Sequence, residues 1–112
     1  MDIDVKKLAR DIWGFAMVIR DSLYSHGVLA EVKVGEGVFF ELSRGHSKAV
    51  IRIDYKRGVV ELKIAKPRTD ALGYATEDEL LNFLYIIELA KAFAKAFAEE
   101  LGFKPIPNLY EL

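Results

Sequence analysis

The chain has no cysteine and no glutamine, and its 112 residues include only three prolines and two histidines. Without cysteine there are no disulfides, no thiolate metal sites and no cysteine nucleophile. No apolar run approaches the roughly 18 residues of a membrane span. The opening MDIDVKK lacks the apolar stretch of a signal peptide. A cytoplasmic location with no membrane contact is therefore expected. Neither His26 nor His46 has a Cys, Asp or Glu at metal-ligand spacing, and no serine sits in a nucleophile elbow. Val34-Gly-Glu-Gly-Val38 contains a GxG, but it joins two alternating strands, so it reads as a hairpin turn and not as a phosphate cradle before a helix. No catalytic residue, metal ligand or cofactor is assigned. An enzyme with a pocket between sheet and helices is a remote alternative, resting on carboxylates such as Glu41 or Glu88. A small-molecule ligand is left open.

What is present is a core-forming composition: 52% hydrophobic and 29% charged residues, with a net charge of -1. Lys and Glu number ten each, and Asn82 and Asn108 are the only asparagines. That balance resembles hyperthermophile proteins.

Periodicity organises the chain. From Ile3 to Tyr24, Val5, Leu8, Ile12, Phe15, Ile19 and Leu23 recur at helical spacing, and His26-Gly27 supplies a stop. The period then changes to two. Four runs follow, with inward residues Val28, Ala30, Val32 and Val34, then Val38, Phe40 and Leu42, then Ala49, Ile51, Ile53 and Tyr55, and last Val60, Leu62 and Ile64. Short turns between alternating strands predict an antiparallel meander with one dry face. After a Pro- and Gly-containing loop, Thr76-Glu77-Asp78-Glu79 forms a capping box, and a helix runs to about Leu101, ending at Gly102. The expectation is a single α+β domain over residues 1–102, helix, four-stranded antiparallel meander, helix, with both long helices on one sheet face. Its interior should be led by Leu8, Ile12, Val32, Phe40, Ile51, Ile53, Leu62, Leu84 and Ile87. Frataxin-like proteins and the Alu-binding proteins of signal recognition particles are similar in element order. No motif matches residue by residue, so no functional residue is carried over.

Helices of 22–26 residues would overhang strands of 6–8, and the second helix is apolar on most of its circumference. Such a helix has to be covered on most of it. Four-residue spacing aligns Ala90 with Ala94 and Phe93 with Phe97. This stripe serves either a contact between the two helices or self-association. The leading functional expectation is a non-enzymatic, self-associating interaction or scaffold module. Its homo-oligomer interface would draw on Trp13, Ala16 and Met17 of the first helix and Phe83, Ala90, Phe93, Ala94 and Phe97 of the second.

Charge is unevenly placed. Residues 44–68 carry eight basic groups against two acidic, net +6, while residues 69–112 carry three against eight, net -5. The alternative reading is a nucleic-acid module for RNA or single-stranded DNA, using Arg44, Lys48, Arg52, Lys63, Lys66 and Arg68 with Phe39 as a stacking ring. Cross-strand pairing such as Arg52 with Glu61 is the structural alternative. The tail, residues 103–112, carries Phe103, Ile106, Leu109, Tyr110 and Leu112 around Pro105 and Pro107. It is expected to dock against the helices, in its own domain or on an oligomer partner; an external partner is the remaining option.

Overall fold

In the computed structural model, residues 4–65, 73 and 76–107 are described. Helix α1 spans Val5–Ser25 and starts where the Asp4 carboxylate accepts from the Lys7 N–H at 3.2 Å. It stops as expected at His26-Gly27: Gly27 has φ 76°, and the Val28 N–H reaches back to the Leu23 carbonyl at 2.9 Å. The His26 ring donates to the Ser22 carbonyl at 2.8 Å, serving one of the carbonyls that a helix end leaves open. Four strands follow in an antiparallel meander, β1 (Leu29–Val34), β2 (Val38–Arg44), β3 (Ser47–Asp54) and β4 (Val59–Ile64). Helix α2 covers Glu77–Leu101, with the Thr76 hydroxyl accepting from the Glu79 N–H at 3.2 Å and Gly102 at φ 68° as its stop.

Among the described residues the sheet has five strands, not four. Lys104–Ile106 form β5, which pairs in parallel with β4, giving the order β1-β2-β3-β4-β5. The Lys104 N–H donates to the Gly58 carbonyl at 3.0 Å. Alternation then turns residue 105 away from β4, so Pro105 costs the ladder no donor. This corrects both the strand count and the all-antiparallel expectation. It also corrects the tail: its first residues extend the sheet, and half-buried Phe103 packs against the core. Leu109, Tyr110 and Leu112 lie outside the described residues.

Cross-strand register sets the dry face. Val32, Phe40, Ile51 and Leu62 form one row, and Val34, Val38, Ile53 and Val60 the next. Phe40, Ile51, Ile53 and Val60 are fully enclosed, Val32 is half-buried, and Val34 at the strand end stays exposed. Both helices pack on this face, α1 over β1 and β2, and α2 over β2 to β5. The seam of α1 is Leu8, Ile12, Ala16 and Leu23, with Ile19 half-buried.

The face of α2 differs from expectation. Ile86, Ala90, Ala94 and Ala98 meet the sheet, while Leu84 is 56% exposed and Ile87 only half-buried. A helix apolar nearly all round offers no periodic signal to choose among its faces. Close approach decides it, because alanines let the helix axis settle low on the strands. The four-residue alanine stripe therefore joins helix to sheet and not helix to helix. Among the described residues no Cα of α1 comes within 8 Å of one in α2. Phenylalanines fill the gap. Phe40 rises from the sheet between Phe93 and Phe97 of α2, at 5.3 and 5.5 Å between centroids, and lies 6.4 Å from Phe15 of α1. Phe15 meets the same two rings edge-on at 5.7 and 5.9 Å.

Candidate functional site

Two surfaces carry the candidate residues: the outer sheet face and the outward sides of the helices.

On the outer face, Lys33, Lys48, Arg52 and Lys63 each have a carboxylate neighbour. Lys33 and Lys48 grip the two oxygens of Glu41 at 2.7 and 2.9 Å. These bonds hold the Glu41 carboxyl below the usual carboxylate range, and the same Glu41 contact raises Lys33. Arg52 spans 3.8 Å to Asp54 and 4.0 Å to Glu61, and its guanidinium lies 5.9 Å from the Phe39 ring centre. Lys63 sits 3.4 Å from Glu61. Asp54, 4% exposed, also accepts the Arg57 N–H at 3.1 Å, which tightens the turn between β3 and β4. The Arg52–Glu61 pair expected across strands is thus present, within a lattice of mixed charge.

Arg44 does not share that face. It has the parity of Phe40 and Leu42, so it points to the helices, where its guanidinium stacks 4.3 Å over the Tyr85 ring. Lys66 and Arg68 lie outside the described residues. Of the seven patch residues, the structure brings Phe39, Lys48, Arg52 and Lys63 to one surface.

Around Arg44, the β2–β3 hairpin tucks beneath the first turns of α2. Gly45, at φ 59°, lies so close to the Asn82 side chain that an added Cβ would collide with it. His46 Nε2 is 3.9 Å from Glu79 Oε1, and among the described residues neither the hydroxyl of fully buried Ser47 nor Glu79 Oε2 has a hydrogen-bond partner. Sequence periodicity did not bring this corner together, because its members come from a turn and a distant helix. Its geometry is that of a polar seat for α2. Glu88, on the opposite side, is exposed and lies 3.7 Å from Lys91. Among the described residues no three His, Cys, Asp or Glu side chains are placed to hold a metal ion, and no helix is long and apolar enough to cross a membrane.

The residues expected at a self-association surface divide in two. Ala16, Ala90 and Ala94 are buried inside the protomer, and Phe83, Phe93 and Phe97 are half-buried, the last two within the ring cluster. Trp13, 55% exposed, and Met17, 38% exposed, stand on the outside of α1. Val18 and Tyr24 of α1 and Leu80, Leu81 and Leu84 of α2, none of them among the residues expected at the interface, are exposed too. Helix overhang is one cause: 25 residues of α2 extend about 38 Å, against about 26 Å for the eight of β3. Two clefts accompany these side chains. One, about 360 Å³, runs between α1 and β1 and is lined by Trp13, Met17, Arg20 and the strand from Ala30 to Lys33. The other, about 530 Å³, opens between the two helices beside Ile12, Phe15, Phe97 and Leu101, with Asp11 and Glu100 at its rim.

No protein-family model, curated protein or solved structure matches this chain.

Proposed function

We propose that the protein is a non-enzymatic module that self-associates through the outward side of its helices. The observation that carries this reading is the uncovered apolar side of α1: Trp13, Met17 and Tyr24 stand exposed together while the opposite side of the same helix fills the core. Large apolar side chains grouped on one surface mark contact sites, and most assemblies of a single chain are symmetric dimers or multiples of them. The exposed Leu81 and Leu84 of α2 give a second apolar area on the same layer.

Nucleic-acid binding is supported less well. Lys33, Lys48, Arg52 and Lys63 are already paired with carboxylates, and Arg44 is committed to Tyr85. Phosphate contacts would show as binding to random RNA that weakens steeply with salt. For self-association the test is light scattering on the natural protein and on Trp13→Asp. The natural protein should scatter as a dimer or larger species, and the variant as a smaller one with its circular dichroism unchanged. Equal, monomeric mass for both defeats the reading.

A further inference from the structure

The two edges of the sheet are unlike. At one end β5 is three residues long and contains Pro105, the kind of short, proline-bearing edge that discourages further pairing. At the other end β1 offers six residues without proline or glycine, bonded among the described residues on one side only, to β2. The turn identifies which of its backbone groups are open. The Gly35 N–H donates to the Gly37 carbonyl at 2.9 Å, so in the alternating antiparallel ladder the odd-numbered residues of β1 face β2. The amides and carbonyls of Ala30, Val32 and Val34 therefore point to the open edge. Beside that edge runs the cleft under Trp13, Met17 and Arg20.

We infer that β1 pairs antiparallel with β1 of a second copy about a two-fold axis at Val32, joining two sheets into one of ten strands. The inference rests on the self-association reading and supplies its geometry. A second copy is favoured over an unrelated strand by the charges on β1 itself. A two-fold axis that keeps the helices of both copies on one face must pass through a residue of β1, and the axis position decides what meets across it. Centred on Glu31, the pairing sets glutamate against glutamate. Centred on Lys33, it sets lysine against lysine. Centred on Val32, it places Glu31 opposite the partner's Lys33 and Lys33 opposite the partner's Glu31, both on the outer face, where cross-strand opposite charges stabilise.

The hydrogen bonding agrees with that centre. Val32 exchanges both backbone bonds with its own copy, and Ala30 and Val34 do so with the partner's Val34 and the partner's Ala30, six bonds in all. On the dry face the exposed Val34 is then covered by the partner's Ala30. The axis passes over the middle of the α1 stretch that lines the cleft. Met17 consequently meets its own copy, and Trp13 faces the partner's Arg20, an indole against a guanidinium. The apolar side of α1 and the open strand edge are closed by one symmetry operation.

The test is a charge exchange. Glu31→Lys alone and Lys33→Glu alone each turn two attractive pairs into two like-charge pairs. Each should weaken dimerisation by roughly tenfold or more while keeping the circular dichroism of the natural protein. Mixed in equal amounts, the two variants restore opposite charges at every position. With one variant isotopically labelled, native mass spectrometry should then show dimers containing one of each. Singles as dimeric as the natural protein, or a mixture that stays monomeric, would overturn the register while leaving self-association standing. A natural protein that is monomeric would overturn both and leave the edge open to a foreign strand. Should either variant fail to fold, amide exchange on the natural protein decides. Protection of Ala30, Val32 and Val34 that grows with concentration supports the pairing, and fast exchange at every concentration refutes it.

Discussion

Replacing Phe40 by alanine should remove the joint between the two helices. Phe40 is fully buried, stands in the row Val32, Phe40, Ile51, Leu62, and has three rings within 6.4 Å. Since α1 and α2 do not approach through their backbones, these side chains carry much of the coupling between them. Truncating a buried Phe costs about 3–5 kcal/mol. The ring contacts place this site at the upper end, because edge-on aromatic pairs add about 0.5–1.5 kcal/mol each beyond their area. A domain of this size has roughly 5–15 kcal/mol in total, so the variant forfeits a large share of its stability. Urea unfolding followed by circular dichroism measures the loss. Phe93→Ala, at a half-buried ring on the rim of the cluster, should cost visibly less. A loss below about 1.5 kcal/mol at Phe40, well under the usual range for a buried Phe, would refute this reasoning. So would equal losses at Phe40 and Phe93, since Phe40 would not then be the centre of the cluster.

Ala94→Leu should destabilise by about 1–3 kcal/mol through overpacking against the sheet, whereas Ala96→Leu on the exposed side should be near neutral in the same urea titration. Glu41→Gln should cost about 0.5–1 kcal/mol near neutral pH, the scale of partly exposed ion pairs. Glu41 has its pKa lowered by Lys33 and Lys48, so its contribution is present above the ordinary carboxylate value of about 4.3 and is lost as the pH falls through the depressed one. The gap between natural and variant stability should accordingly close in acid, and a gap constant with pH would contradict the assignment. Lys33, raised by the same contact, loses its share only as the pH climbs beyond the ordinary lysine range. Deleting residues 103–112 removes β5 and Phe103, uncovers the β4 edge, and should lower the melting temperature; a truncated protein that melts like the intact one would show that β5 adds nothing.

Much of the architecture was legible in the residues. Period-two alternation located all four meander strands, and Asp54, Arg52 and Glu61 fell where the register put them. Gly27 and Gly102 ended the helices as their freedom to take positive φ implies. Three features were not legible, each for a physical reason. The face of α2 was hidden because apolar residues surround it, and the choice of Ala90 and Ala94 for the sheet depends on how closely backbones approach. The strand β5 was hidden because three residues around a proline carry no alternation; only its neighbour β4 makes them a strand. The seat formed by Gly45, Asn82 and Tyr85 joins residues far apart in the chain, so no local pattern announces it. For the candidate surface, Trp13 and Met17 were readable as apolar width beyond the core seam of α1. The proposed pairing of Glu31 with Lys33 about Val32 depends on the open edge of β1, which no local pattern announces.

Sedimentation velocity of the natural protein across a dilution series in the micromolar range tests self-association most directly. The account predicts a reversible shift from a dimer of twice 12.7 kDa toward the monomer on dilution. A single 12.7 kDa species at every concentration would contradict it.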